Sequence, residues 1–223
     1  MAPRLDAVLF DLDGTLADTG DDLAAALGAA FQDLGVTPSV NITALVDGSP
    51  LEELFAVAVP EAPAGLFALF VERYRAHTVQ SSFPRSRLYP GVRETLEALG
   101  HFRPTLRLAV CTSRRPEAAR ALTRHLAIDH YFDRVEGTGG TPLRHKPSPD
   151  LPLFLARALE VRPERVLFVG DTPRDVRAGR AAGMLTAAVL YGMGEPGALL
   201  ASGPDHTLED LLEVLDILGV PSA

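Results

Sequence analysis

The sequence predicts a doubly wound α/β fold, a parallel sheet with helices on both faces, interrupted by an inserted helical domain. Three observations carry this. After residue 90, short apolar runs alternate with helical patterns, and strands buried on both faces of a parallel sheet read as such continuous runs. Residues 17–88 instead show helical periodicity with no strand candidate, a span too long for an ordinary strand–helix loop. The chain has 223 residues, 47% of them hydrophobic, enough to bury a large core and carry an insertion.

Taken in order, Ala7–Phe10 is the first predicted strand. Leu23, Ala26, Leu27, Ala30, Phe31 and Leu34 then follow a helical period that stops at Gly35. Pro50–Val59 and Pro63–Val79 read as two further helices. Phe67, Phe70, Val71 and Tyr74 share one face of the second, an aromatic stripe suited to a helical core. The polar stretch "SSFPRSR" returns the chain to Tyr89–Gly91. Leu106–Cys111, Val166–Val169 and Thr186–Leu190 are the later strands. Between and around them lie helices near Pro90–Leu99, Pro116–Leu126, Pro149–Glu160 and Pro173–Ala182, with proline where a first helical turn tolerates it. Alternation of this kind implies a parallel sheet with crossover helices. The expected organisation is a Rossmann-like core of residues 1–16 and 89–223 and a helical cap over 17–88.

Composition excludes several functions. A formal net charge of -8 offers no basic footprint for nucleic acid or an anionic membrane. No run approaches the ~18 apolar residues of a membrane span, and MAPRLDA lacks an apolar signal core. Cys111 is the only cysteine, so no internal disulfide forms. A cytoplasmic protein, monomeric or homodimeric, is the simplest reading. Lys146 is the only lysine among 21 basic residues, which marks it for a task that arginine performs badly.

Ligands of open α/β sheets sit beyond the carboxyl ends of the strands. Those ends carry Asp11 and Asp13 in "DLDGT", then Thr112 and Ser113, with Lys146 in "RHKPSPD" and Asp171 and Asp175 in "VGDTPRDV". Four acids, two hydroxyls and the sole lysine on one edge read as a phosphoryl-transfer site. Asp11 is the expected nucleophile. A carboxylate approaching a phosphate dianion meets roughly 8 kcal/mol of repulsion at ~4 Å and an effective dielectric near 20. A divalent cation must offset that, and oxygen ligands around a phosphate suit Mg²⁺. Asp171 and Asp175 can face the same ion as Asp11 and Asp13, Asp175 through water. Asp13 is expected to protonate the leaving oxygen and then take a proton from the attacking water. Gly14 permits a tight turn. Thr112, Ser113 and Lys146 are the expected phosphate ligands, Lys146 as a compact cation.

These motifs resemble the haloacid dehalogenase-like phosphohydrolases. The four-part signature of that family is matched in order by "DLDGT", Thr112, "KPSPD" and "GDTPRDVRAGRAAG". The resemblance extends to the helical insertion, to "DLAAAL" and to "YPGVRETLEAL", and points to the small-cap subfamily that contains phosphoglycolate phosphatases. It implies a Mg²⁺-dependent phosphatase acting on a small phosphate monoester, with 2-phosphoglycolate first among candidates. Ser113 and Arg114 depart from the asparagine and lysine frequent in relatives. Specificity is expected in the cap, near "LVDGSP" with Gly48, or through Arg73 or Arg75.

A sugar phosphomutase of the same superfamily is the alternative. A dehalogenase would lack the second acid, Asp13, and a receiver domain would have about half this length and no insertion. A calcium loop starting at Asp11 fails because Leu16 and Asp22 occupy the positions of its glycine and glutamate. A cysteine phosphatase fails because Glu117 stands where its arginine is required. The six histidines show no metal-ligand spacing; His145, beside Lys146, is the one near the chemistry.

Overall fold

The computed structural model describes residues 5–46, 49–80, 83–102 and 105–219. The chain divides into two compact units, residues 1–18 with 87–223, and residues 19–86.

β1 (Ala7–Phe10) is followed by the two-residue β2 (Ala17–Asp18). The chain then forms α1 (Gly20–Asp33), α2 (Leu51–Ala58) and α3 (Leu66–Gln80). It returns through β3 (Arg87–Leu88), which pairs antiparallel with β2. The remainder alternates as α4 (Val92–Gly100), β4 (Arg107–Thr112), α5 (Pro116–His125), β5 (Arg134–Gly137) and α6 (Asp150–Ala158). It ends with β6 (Val166–Gly170), α7 (Pro173–Ala181), β7 (Leu185–Val189), α8 (Pro196–Ala201), β8 (His206–Leu208) and α9 (Val214–Ile217).

Six strands form one parallel sheet in the order β5-β4-β1-β6-β7-β8. β1 lies inside it, with Phe10 opposite Val110 on one side and Val169 on the other. One residue further along these three strands come Asp11, Cys111 and Gly170. All four residues of β1 are fully buried. Leu151, Leu155, Ala156 and Leu159 of the α6 segment cover Ala7, Leu9, Ala109, Cys111, Val166 and Phe168. Cys111 is an apolar filler of this layer, and burial pushes its thiol up. The predicted strands and helices of this unit are present, with ends moved by one or two residues. The sequence pattern does not show β5, β8, α8 or α9. The strand-free expectation for 17–88 fails at its two ends, where the two-residue β2 and β3 are too short to leave a pattern. β5 and β8 are sheet edges whose segments, RVEG and HTL, carry polar or exposed residues, so neither shows the continuous apolar run of an interior strand.

The helical unit has its own core. Leu27, Ala30, Phe31, Leu45, Leu54, Phe55, Ala58 and Phe70 are buried together, with Phe67, Val71 and Tyr74 packed against them. The Phe70 ring lies 4.6 Å from Phe31 and 4.9 Å from Phe55 between centroids, inside the range of favourable aromatic pairs. The aromatic stripe of α3 is therefore core. Arg73 and Arg75 are exposed on the same helix, and Gly48 of "LVDGSP" lies outside the described residues. Among the described residues, no helix is long and apolar enough to cross a membrane.

Phe70 is fully buried against the Phe31 and Phe55 rings, so Phe70→Ala should destabilise the unit by about 3–5 kcal/mol. Urea unfolding followed by circular dichroism will measure that loss.

Candidate active site

The carboxyl ends of β1, β4 and β6 form the floor. β1 runs straight into Asp11, β6 into Asp171, and α7 begins two residues later. Pro173 occupies the first turn of α7 and Asp175 follows within it. An acid in a first helical turn is favoured by the helix dipole and the free N–H groups there. One carboxylate oxygen of Asp175 accepts from the Thr172 backbone N–H at 3.0 Å and from its hydroxyl at 2.5 Å.

Asp11, Asp171 and Asp175 are each buried, and each offers a carboxylate oxygen within 4.8 Å of the others. Lys146 reaches into this group. Its Nζ lies 2.8 Å from Asp11 Oδ2 and 2.5 Å from Asp175 Oδ1, and it donates to the Cys111 carbonyl at 3.3 Å. Burial disfavours the Lys146 ammonium, but Asp11 and Asp175 outweigh it and raise its pKa. Burial lifts the Asp11 carboxyl well above its ordinary range; Lys146 opposes this, while Asp175 and Asp171 add to it. Burial and then Asp175 push Asp171 up to about 7, against hydrogen bonds from Met193 and Thr15. When ionised, the three carboxylates exceed the one ammonium by two negative charges.

The surplus suits a divalent cation, and the donors are all hard oxygens. Asp171 accepts from Thr15 Oγ1 at 2.9 Å and from the Met193 N–H at 2.9 Å, which fixes its orientation. The oxygens of all three carboxylates accept hydrogen bonds or lie against Lys146. The three residues together fit a divalent cation.

Asp13 goes elsewhere. The cluster contains three of the four acids expected there, because the Asp13 carboxylate is held by Arg114. Arg114 Nε donates to Asp13 Oδ1 and Oδ2 at 3.0 and 2.7 Å, and its NH2 donates to Oδ1 at 2.5 Å. Gly14 has φ +82°, and a Cβ there would lie 2.0 Å from Asp171 Oδ2, so the loop approaches Asp171 more closely than any side chain allows. Thr112 is buried at the end of β4, its Oγ1 accepting the Arg114 N–H at 3.2 Å. Ser113 is exposed beyond it. His145 is hydrogen-bonded to Thr138 at 2.7 Å, and burial followed by Lys146 lowers its pKa.

Sequence reasoning missed the supports of the site. In the sequence Arg114 stands out only as a departure from relatives. Residues 190–194 after β7 carry no charge, yet Gly192 and Gly194 press on Asp171, where added Cβ atoms would come within 2.3 and 2.0 Å of it. Tyr191 OH donates to the Thr15 carbonyl at 2.8 Å and pins that loop to "DLDGT". The signal available was the glycine spacing of "YGMGEP".

Known proteins resemble this chain along most of its length. The model of a family described as haloacid dehalogenase-like hydrolase matches residues 8–189. A phosphoglycolate phosphatase of Aquifex aeolicus is 33% identical over 94% of this chain and 96% of its own. One of Nitrosospira multiformis is 34% identical over 95% of each. Among solved structures, a protein described as a predicted phosphoglycolate phosphatase from Haemophilus somnus superposes with a TM-score of 0.84 at 28% identity, covering 96% of this chain and 98% of its own. CbbY from Rhodobacter sphaeroides, solved in complex with xylulose-(1,5)bisphosphate, gives 0.72 at 25% identity, covering 96% and 99%.

The raised pKa of Asp171 fixes a sign. The folded metal-free chain holds a proton near pH 7 that the unfolded chain releases near its ordinary 3.8. Its contribution to stability is therefore complete below about pH 4 and lost as pH rises through about 7, with a slope of up to about 1.4 kcal/mol per pH unit for one proton. Urea unfolding in EDTA between pH 4.5 and 8 should show this fall. Saturating Mg²⁺ should flatten it, and Asp171→Asn should have a shallower slope than the parent in EDTA.

Proposed function

The chain belongs to the haloacid dehalogenase-like hydrolases and is a phosphoric monoester hydrolase. From that premise we propose that it hydrolyses 2-phosphoglycolate or a similarly compact phosphorylated acid, with Mg²⁺, through an aspartyl-phosphate on Asp11. The buried Asp11–Asp171–Asp175 cluster with the sole lysine at its centre carries this reading. Relatives of 33 and 34% identity with that name support the substrate.

A divalent cation, when bound, supplies the positive charge that lets a phosphate dianion approach these carboxylates. The chain's own residues do the rest. An Asp11 oxygen attacks phosphorus, a new O–P bond forms, and the bond to the leaving oxygen breaks. Asp13, once protonated, gives that oxygen its proton. Asp13 then takes a proton from water as it attacks the phosphorus of the aspartyl-phosphate, which returns Asp11 to a carboxylate. Lys146, already against Asp11, stabilises the added negative charge. Thr112 and the backbone around Gly14 orient the phosphoryl oxygens. The helical unit of residues 19–86 is the proposed cap, excluding bulky esters and water during the reaction.

Phosphate release should disappear in EDTA, return with Mg²⁺ and be poorly supported by Ca²⁺, whose looser coordination tolerates a less ordered site. The substrate is tested by kcat/KM for 2-phosphoglycolate against glucose 1-phosphate, xylulose 1,5-bisphosphate and a nucleoside monophosphate. Ranking below all three would remove 2-phosphoglycolate. Little net phosphate from glucose 1-phosphate, with transfer to another hydroxyl of the sugar, would identify the phosphomutase instead.

The two acids of "DLDGT" should separate by mutation. Asp11→Asn should form no phosphoenzyme. Asp13→Asn should accumulate one from p-nitrophenyl phosphate, whose leaving group needs little acid assistance. Acid-quench labelling with ³²P distinguishes them, and label retained on Asp11→Asn would overturn the assignment of the nucleophile.

A further inference from the structure

We propose that Arg114 is a specificity-determining residue that selects substrates bearing a second anionic group, such as a carboxylate, by leaving Asp13 for that group. The inference rests on the phosphatase reading above and concerns the chemical class of its substrate.

Two cations meet the carboxylates of this edge, and their surroundings differ. Lys146 is 5% exposed and lies between Asp11 and Asp175. Arg114 and Asp13 keep side-chain exposures of 11% and 19%. A solute therefore has access to the Arg114–Asp13 pair that it lacks to Lys146. The Arg114 backbone is fixed at both ends. Its N–H donates to Thr112 Oγ1 at 3.2 Å, and its carbonyl accepts from the Gly139 N–H at 3.0 Å. The guanidinium thus extends from a fixed backbone beside the expected phosphate ligand Thr112.

The fork on Asp13 is a charge-assisted, bidentate pair, a geometry that an incoming carboxylate reproduces. A substrate carboxylate competes for the same N–H donors. When it takes them, Asp13 is released, takes up a proton from solvent once the guanidinium no longer holds it ionised, and turns toward the leaving oxygen to make the proton transfer assigned to it above. An uncharged substituent offers no such exchange, and Asp13 stays held. Selection then appears in kcat as well as in KM, because recognition and release of the acid–base group are one event. A role confined to bracing Asp13 predicts something else, an equal loss for every ester.

The test uses matched pairs: 2-phosphoglycolate with 2-hydroxyethyl phosphate, and 3-phosphoglycerate with glycerol 1-phosphate. Phosphate release is measured for the parent, Arg114→Ala and Arg114→Lys, each with Mg²⁺. The parent should prefer the acid in each pair. Arg114→Ala should lose about 10²-fold in kcat/KM for the acids, the range for removing one partner of a charge pair, and should lose nothing for the alcohols, for which Asp13 is no longer held. Arg114→Lys, which keeps the charge without the fork, should fall between. The acid-to-alcohol ratio within one preparation is independent of how much protein has folded. An unchanged ratio in the variants, or no preference for the acids in the parent, would overturn the proposal. A parent inactive on all four esters would instead sink the proposal of a compact phosphorylated acid as substrate, on which this one rests.

Discussion

Everything at the carboxyl edge of this sheet depends on neutralising three buried carboxylates. Asp11, Asp171 and Asp175 stand on an apolar floor of fully buried strand residues, where charge interactions are stronger than in water and unpaired charge is costly. One ammonium, from Lys146, lies against two of them. The third, Asp171, is held by a hydroxyl and a backbone N–H and has its pKa lifted to about 7. Among the described residues, no buried side-chain polar atom lacks a hydrogen-bond partner. The network is satisfied in hydrogen bonds and incomplete in charge, which is the condition in which a divalent cation is most strongly attracted.

The local backbone follows from this. Carboxylates packed so closely require their supporting loops to come closer still. Gly14, Gly192 and Gly194 all press against Asp171 at separations no Cβ permits, so the loops after β1 and β7 meet over the end of β6. The lysine follows as well. A slender ammonium can touch Asp11, Asp175 and a strand carbonyl at once, whereas a planar guanidinium has its donors spread in a fork. Twenty-one basic residues include a single lysine, and it occupies this position.

Much of the core was legible because interior parallel strands leave a simple trace. AVLF, LAVC and VLFV are continuous apolar runs, and each ends near a residue of the site. RVEG and HTL form strands at the sheet edges, where one side of the ladder is unpaired and polar residues are tolerated, so neither stands out. The convergence of Asp11, Lys146, Asp171 and Asp175 could be read from strand ends, helix starts and the solitude of the lysine. The pairing of Asp13 with Arg114 could not. Those residues are 101 positions apart, and an arginine side chain has too many rotamers for a sequence to fix where its guanidinium points. Asp13 alone, two residues from Asp11, reads as a member of the cluster until Arg114 is seen to claim it.

The two cations also divide the work by burial. If Lys146 left, Asp11 and Asp175 would face each other in a dry interior, a loss of several kcal/mol for breaking a buried pair. Lys146 is therefore a fixed charge that sets the potential at the floor. Arg114 and Asp13 lie nearer solvent, where water softens the penalty of separation, and a competing anion can replace either partner. Fixed positive charge beneath the cluster and exchangeable positive charge at its rim give the same edge two functions. On the proposed mechanism, the first keeps Asp11 in place whether or not substrate is present, and the second makes Asp13 answer to what has bound.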